Sequence, residues 1–324
     1  FAIKMMQPVY INHIASIHPD PSGGEEPYLS ACEPDYKAVI ANPTLRRRMS
    51  RIIKMGVACG LECMGATVPE EIGAIITATG LGCLTDTEKF LNAMIDNGER
   101  MLNPTPFIQS TFNTIGAQIA LLCRIQAYNM TYVHRGLSFE SALLDAMMRI
   151  AEGDNKVLVG AVDEITPASH AIQHRLGLLK GSRAGEGAQF FLLGSRPVAL
   201  NSPILCGIET FIGSHSPQDI SERIIRFLKR HGYTPSDIGC FINGRNGNPV
   251  QDAVYEILEK QLFTQAEPKT FKNQCGEYQT ASAYATWKAA QMLSEAATTA
   301  KTILIYNHYQ TINHSLILLK KNDQ

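Results

Sequence analysis

The 324 residues of this chain exceed a typical single domain, but α/β proteins of this size often form one continuous core. The formal net charge is −1, so nothing marks the chain as a nucleic-acid-binding protein. No apolar run approaches the roughly 20 residues that span a bilayer, and the first residues lack the charged-then-apolar order of a signal peptide. We therefore expect a cytoplasmic protein that does not contact a membrane.

Apolar, β-rich segments alternate with helical segments along the first half of the chain. The predicted strands are Val9–Ala15, Ala74–Thr79, Val157–Ala161 and Gln189–Leu193, and the predicted helices are Leu45–Met64, Glu88–Ile95, Thr114–Ala127 and Ser141–Ile150. Such alternation predicts an α/β fold with mostly parallel, buried sheets.

The second half repeats this rhythm over a shorter length. Its predicted strands are Leu205–Phe211, Cys240–Ile242, Thr302–Tyr306 and Ser315–Leu319, and its predicted helices are Asp219–His231, Val250–Leu262 and Ala281–Ala297. Pro197 and Pro203 bracket a polar turn between the two halves. We expect an N-terminal half of residues 1–200 and a C-terminal half of residues 201–324 within one continuous globular unit.

The eight cysteines are scattered, and none forms a C-x-x-C pair. Cys59 and Cys63 have the i, i+4 spacing of one helix face, which would bind a metal only if other ligands converged on them. Most of the cysteines lie in apolar segments, as expected for buried thiols in a reducing compartment. We expect neither a metal nor a cofactor.

Four segments have distinctive local patterns. Thr131–Glu164 reads as a strand, a tight turn (His134 to Ser138), a helix and a second strand, and Arg183–Ala188 is a glycine-rich RAGEGA turn ahead of a buried strand. Asp237–Glu256 reads as strand, loop and helix, and Lys269–Ala283 as a loop entering a helix of small residues.

In this order, the four segments resemble the β-ketoacyl synthases of the thiolase superfamily. The resemblance implies a thiolase-like duplicated α/β core with five layers, α-β-α-β-α. It also implies where that family carries its nucleophilic Cys, its two catalytic His and its Lys. The matching positions here hold Gly136, Gly244, Glu277 and Lys272, so only the lysine is retained.

Condensation in this family, as the resemblance implies, needs a thiolate that takes an acyl group from a carrier. Two neutral His donors then stabilise an enolate oxygen, and loss of one such donor typically costs on the order of 100 to 1,000-fold in rate. Gly136 cannot accept an acyl group, Gly244 offers no donor, and Glu277 brings a negative charge. We therefore expect no catalytic residue for ordinary condensation.

Five residues are candidates to line the former pocket: His134, Arg135, Ser138, Asn246 and Cys275. We expect Arg135 to fill space and pair with an acid, either Glu140 or Glu277. Ser138 is predicted to cap the following helix, because a serine oxygen accepts an unpaired backbone N–H there.

Within the remaining loops, Lys272 and Glu277 are expected to form an internal ion pair. The segment Asn307–Leu316 holds His308 and His314 and lacks the glycines of the family's gating loop, which predicts a filled, static version. Arg47, Arg51 and Lys54 have the spacing of one helix face and are candidates to dock an acidic carrier protein.

The favoured interpretation is a catalytically degenerate subunit similar to the chain-length factors of polyketide and aryl-polyene systems, which lack the Cys and pair with an active ketosynthase. The resemblance implies a dimer, with an active partner or with itself, through Thr131–Leu144, and an acyl carrier protein as a further partner. One alternative is an active acyltransferase or 3-oxoacyl-ACP synthase that uses Ser138 with His134, or Cys275 with Lys272. Another is a carrier-binding regulatory module without catalysis.

Overall fold

The computed structural model of the protein describes residues 7–20, 27–295 and 298–322. In this part of the chain the strands are β1 (Val9–Ile17), β2 (Tyr28–Leu29), β3 (Ile72–Ala78), β4 (Tyr128–Tyr132), β5 (Lys156–Asp163), β6 (Ala184–Gly185), β7 (Gly187–Gly194), β8 (Ile204–Ile212), β9 (Cys240–Asn243), β10 (Glu267–Thr270), β11 (Thr302–Tyr309) and β12 (Asn313–Lys320).

The helices in the same ranges are α1 (Tyr36–Val39), α2 (Pro43–Arg48), α3 (Arg51–Met64), α4 (Leu84–Asp96), α5 (Pro104–Gln109), α6 (Thr114–Cys123), α7 (Ser138–Glu152), α8 (Pro167–Arg175), α9 (Pro217–Arg230), α10 (Pro249–Gln261), α11 (Lys272–Cys275) and α12 (Ser282–Ser294). Short 3₁₀ turns lie at Pro69–Glu71, Arg135–Leu137 and Pro235–Asp237. The last two residues of the predicted helix Ala281–Ala297 lie outside the described residues.

The two halves have the same strand topology. The first half has the order β1-β7-β5-β3-β4, and the second has the order β8-β12-β11-β9-β10. In each half the two inner pairings are antiparallel, and the two pairings towards the outer edge are parallel. A short antiparallel pairing of Val9 and Tyr10 with Leu205 and Ile204 joins the half-sheets. The expected duplication is therefore confirmed.

Five layers are present, as the resemblance implied. Helices α3 and α6 cover the outer face of the first half-sheet, and α9 and α10 cover that of the second. Helices α7 and α12 lie between the half-sheets and contact strands of both. The buried side of α12 is rich in alanine, and these short side chains allow the helix to pack closely between two sheets.

Two predictions about the elements were wrong. The sheet is mixed rather than mostly parallel, because the alternation of strands and helices does not reveal strand direction and the short turn between β11 and β12 requires an antiparallel pair. The predicted helix Leu45–Met64 is two helices, interrupted where Met49 adopts an extended conformation before Ser50, the N-cap of α3. Strands β4 and β10, which have little apolar pattern, extend the two outer edges.

No helix in the described ranges is long and apolar enough to cross a membrane.

Candidate functional site

The turn that precedes α7 packs against β12. Arg135–Leu137 form a 3₁₀ turn, and Gly136 within it is buried. The Ser138 hydroxyl accepts a hydrogen bond from the backbone N–H of His134 (2.7 Å) and donates one to the Arg135 carbonyl (2.8 Å). Ser138 is the first residue of α7 rather than its N-cap, so the predicted cap was wrong. Its hydroxyl instead holds the turn together.

The side chain of Tyr309, at the end of β11, occupies the space in front of Gly136. A Cβ atom built on Gly136 would lie 2.5 Å from the Tyr309 Cβ and 2.8 Å from its Cγ, closer than real Cβ contacts. The Tyr309 hydroxyl accepts a hydrogen bond from the Gln279 amide at 3.1 Å. A cysteine at position 136 therefore has no room in this conformation.

Gly244 is closed off in a similar way. A Cβ atom there would lie 2.4 Å from the Asn307 Oδ1 and 2.6 Å from the Tyr255 hydroxyl. The neighbouring Arg245 side chain points to Glu259, with 2.8 Å between Nη2 and Oε2. No imidazole could replace Gly244 without displacing both Asn307 and Tyr255.

Lys272 and Glu277 form the expected ion pair, and both side chains are buried. The Lys272 Nζ donates to the Glu277 Oε2 at 2.9 Å and to the His308 carbonyl at 3.0 Å. The Asn246 amide donates to the same carboxylate oxygen at 2.7 Å. The positive charge of the retained lysine is thus neutralised by the residue that replaces the family's second His, so neither group is free to act on a substrate.

The RAGEGA turn positions this loop. Backbone hydrogen bonds join Glu277 N–H to the Arg183 carbonyl (2.8 Å) and Gly185 N–H to the Glu277 carbonyl (3.2 Å). Gly276 has φ of +82°, and an added Cβ on it would meet the Gly185 Cα at 2.5 Å. Gly185 and Gly276 are therefore both needed where these two backbone segments contact each other.

Several buried polar atoms around Gly244 have no partner among the described residues. They are the Glu277 Oε1, the Asn307 Oδ1 and the His308 Nδ1. The His308 Nε2 lies 3.0 Å from the Gln251 carbonyl, which requires a proton on that nitrogen. Burial, and then the charge of Lys272, lower the pKa of His308 to about 3, so its ring is neutral near pH 7.

Asp163, at the end of β5, connects three segments around the site and was not predicted as a site residue. Its carboxylate accepts hydrogen bonds from the Thr79 hydroxyl (2.9 Å), Gly80 N–H (2.8 Å) and both the N–H and hydroxyl of Thr280 (3.1 and 2.8 Å). The acidic end of the strand was visible in the sequence. Its partners could not be identified, because they come from distant loops.

Arg135 does not make the predicted pair with Glu140 or Glu277. Its side chain is exposed, and its φ of +50° is in the left-handed region, which directs it away from the core. Glu140 is fully buried on α7, and burial raises its pKa. Glu277 is already bound to Lys272. The prediction failed because the sequence does not reveal the left-handed backbone at Arg135.

The geometry counts against both alternative nucleophiles. The His134 ring is exposed, and its Nδ1 lies 3.3 Å from the hydroxyl of Ser141 rather than that of Ser138. Cys275 is fully buried, its thiol donates to the Gly276 carbonyl at 3.4 Å, and burial raises its pKa well above the usual range despite nearby Lys272. A thiol of this kind is a poor nucleophile.

The three candidate docking cations do not share one accessible face. Arg51 is bound to Glu186, with 2.7 Å between Nη1 and Oε2, and also pairs with Glu33. Arg47 lies on α2, beyond the break in the predicted helix. Arg51 is therefore paired with carboxylates of the protein itself, and carrier docking through these three cations stays a prediction.

A surface depression of about 480 Å³ lies beside the filled site. It is lined by Lys180, Gly181, Asn248, Pro249, Val250, Gln251, Gln310 and Thr311. Gln310 and Thr311 directly follow Tyr309 in the chain, and neither Tyr309 nor Gly136 lines this depression. In the described ranges no three His, Cys, Asp or Glu side chains converge as metal ligands.

Comparison with known proteins identifies related folds. Residues 25–176 match the family model of the β-ketoacyl synthase N-terminal domain. No curated protein matches the chain in sequence. The ishigamide ketosynthase/chain length factor has a TM-score of 0.80 and 15% identity, covering 97% of this chain and 99% of the other.

Two further structures agree. A type II polyketide ketosynthase structure, the AntDE:AntF complex with an acyl carrier protein, has a TM-score of 0.80 and 15% identity over 97% of this chain and 99% of the other. The ketosynthase ApeO in complex with its chain length factor ApeC, from Xenorhabdus doucetiae, has a TM-score of 0.74 and 15% identity, covering 99% of this chain and 100% of the other. Such likeness establishes the fold, and the family model assigns the N-terminal region. Residues 25–176 therefore match the β-ketoacyl synthase N-terminal domain, and the chain as a whole has the fold of these ketosynthase and chain length factor structures.

Proposed function

We propose that this chain is a non-condensing subunit, similar to a chain-length factor, that pairs with an active ketosynthase in polyketide, aryl-polyene or fatty-acid biosynthesis. The observation that carries the proposal is the filled space at Gly136, where Tyr309 takes the volume of a nucleophile. A subunit that has only lost its cysteine would leave an empty pocket. Here Tyr309, Asn307 and the Lys272–Glu277 pair close the former site.

The open edge of the sheet supports pairing. Strand β4 ends the first half-sheet, and its outer side has no strand partner in the described chain. Exposed apolar side chains lie on β4 and next to it, and we call them the β4 surface: Phe112, Leu121, Met130 and Val133. Helix α6, which carries Leu121, contacts β4. An exposed edge with apolar neighbours is normally covered by another chain.

The proposed partner of this chain is an active ketosynthase. The resulting heterodimer is proposed to bind an acyl carrier protein. Among the similar structures, one is a ketosynthase with its chain length factor and another includes an acyl carrier protein with its ketosynthase. These structures share only 15% sequence identity with this chain, which establishes the fold but not the partners, so the partners are proposed here. The proposed setting is the cytoplasm, where the eight free cysteines would stay reduced.

The proposal is tested by co-expressing the chain with ketosynthases that carry a complete Cys-His-His set, followed by size-exclusion chromatography with light scattering. We expect a stable heterodimer and a product whose chain length depends on this subunit. The isolated chain should not condense acyl and malonyl carriers. Condensation by the isolated chain, or failure of every tested ketosynthase to bind it, would argue against this function.

A further inference from the structure

A cationic surface covers one side of α9, in the outer layer of the second half. Arg223, Arg226, Lys229 and Arg230, together with Glu209 of β8, line a depression of about 550 Å³. Positions 223, 226 and 230 share a helix face, with position 229 alongside. Four cations and one carboxylate leave a formal charge of +3 here, whereas the whole chain carries −1. The positive charge is therefore concentrated locally.

This surface, which we call the α9 surface, is held in place by the protein itself. Glu209 is largely buried and accepts hydrogen bonds from Arg230 and from the Arg223 Nη1, the latter at 3.2 Å. The Arg223 guanidinium also lies 4.6 Å from the centre of the Phe211 ring. These contacts fix two guanidinium groups beside the depression.

The other two cations are available. Arg226 and Lys229 are exposed, and no described carboxylate forms an ion pair with either. Glu222, which lies on the same helix, accepts a hydrogen bond from Gln218 and does not line the depression. Favourable interaction with the helix dipole explains cations in the last turn, such as Lys229 and Arg230, but not Arg223 and Arg226. The cluster thus exceeds what helix stability requires.

We propose that the α9 surface docks a helix of a partner protein that carries a row of Asp and Glu side chains. The cations spread over seven residue steps, which is about 10 Å along the helix axis, rather than converging on one point. A single phosphate is more often bound by converging backbone N–H groups at a helix N-terminus, and this cluster lies in the C-terminal part of α9. Complementary charge along two helices would set their register and speed their encounter.

The test uses the full chain and a synthetic helical peptide of about 20 residues with Glu side chains in one row, long enough to be partly helical alone. Fluorescence anisotropy measures binding at low salt and again at about 0.3 M NaCl, where screening shortens the range of surface charges. We expect salt-sensitive binding that weakens about tenfold in the Arg226→Glu/Lys229→Glu variant. A peptide with Gln in place of Glu should not bind.

A matched variant, Arg47→Glu/Lys54→Glu, reverses two cations elsewhere on the chain and should change the affinity less than twofold. Both variants should stay folded at the assay temperature, because none of the four substituted cations forms an ion pair among the described residues. Lys229→Glu removes a favourable interaction with the helix dipole, so the first variant should unfold at a slightly lower temperature than the wild type. Absence of peptide binding, or equal weakening by both variants, would overturn the proposal. Displacement of the peptide by inorganic pyrophosphate, added so that its negative charge equals that of the peptide, would also overturn the proposal, because it would indicate a site for small anions.

Discussion

The side chain of Tyr309 occupies the space that a side chain at Gly136 would need, with 2.5 Å between the Tyr309 Cβ and a Cβ built on the glycine. The loss of the nucleophile and the filling of its pocket are therefore coupled. Restoring a cysteine at position 136 would not restore a reactive centre, because the surrounding residues have adapted to its absence. The same holds at Gly244, where Asn307 and Tyr255 fill the position of an imidazole.

The first prediction tests this coupling. Gly136→Ala should destabilise the protein by about 1–3 kcal/mol, because the added methyl overpacks a closed space. In a Tyr309→Ala background the same substitution should cost less, by at least about 1 kcal/mol. Denaturant unfolding of the wild type, both single variants and the double variant measures this difference. Additive costs would contradict the contact between positions 136 and 309.

A second prediction concerns thiol chemistry. Cys32 is exposed, whereas Cys275 is fully buried and burial raises its pKa. Native protein treated with iodoacetamide should be alkylated at Cys32, and Cys275 should react only after denaturation. Incubation with an acyl-carrier or acyl-CoA donor should leave no acyl adduct. Peptide mass spectrometry measures both the alkylation of the cysteines and the formation of an acyl adduct. An acyl adduct that forms on any residue and is then consumed in turnover would be incompatible with a non-condensing subunit.

The third prediction concerns the buried ion pair. Lys272→Met removes one partner and leaves the Glu277 carboxylate buried, so we expect a loss of about 3–5 kcal/mol. The double variant Lys272→Met/Glu277→Leu should recover much of that loss, because no unpaired charge remains. As a control, Lys260→Met breaks an exposed pair with Glu256 and should change stability little. Equal losses in the single and double variants would show that the pair itself is not what stabilises this loop.

Much of the fold follows from residue patterns. Strands such as β5 and β7 are buried along their length and read as apolar runs, and helices such as α9 and α10 have clear apolar faces and start signals. The ion pair of Lys272 with Glu277 could also be predicted, because the two residues share one short loop and opposite charges cannot be buried unpaired.

Contacts between distant segments could not be predicted in this way. The Tyr309 contact depends on how β11 ends opposite the turn at Gly136, and the binding of Arg51 to Glu186 joins residues 135 positions apart. A helix-face spacing suggested that Arg51 was free, whereas its environment is set by tertiary packing. The left-handed backbone of Arg135 likewise has no sequence signal, since Gly or Asn are the residues usually found there.

A fourth prediction concerns pH. The pKa of His308 is lowered to about 3 in the folded chain, below the unfolded value of about 6.5. Its contribution to stability is therefore complete above pH 6.5 and is lost as the pH falls towards 3, by at most about 1.4 kcal/mol per pH unit. His308→Gln should unfold with a shallower acid dependence than the wild type between about pH 6.5 and 5.

The comparison between variants is needed because other groups titrate in the same range. Burial raises the pKa of Glu164 to about 7, and its contribution falls as the pH rises through this interval, opposite to that of His308. That contribution is common to both proteins and cancels in the difference. Identical slopes for wild type and His308→Gln would mean that His308 is not the neutral buried group described here.

The last prediction concerns assembly through the β4 surface. Val133 directly follows β4 and is 41% exposed, so Val133→Asp places a charge on the proposed interface without disturbing the core. A charge buried in an apolar interface without a partner is strongly unfavourable. We expect the wild-type chain to form a dimer when produced alone, and the variant to be monomeric or aggregated, by light scattering at micromolar concentration. Val250→Asp, at a more exposed valine beside the surface depression, is the matched control and should stay dimeric. A monomeric wild type, or a Val133→Asp variant that dimerises normally, would rule out pairing of this chain with itself through β4 and favour a carrier-binding module instead.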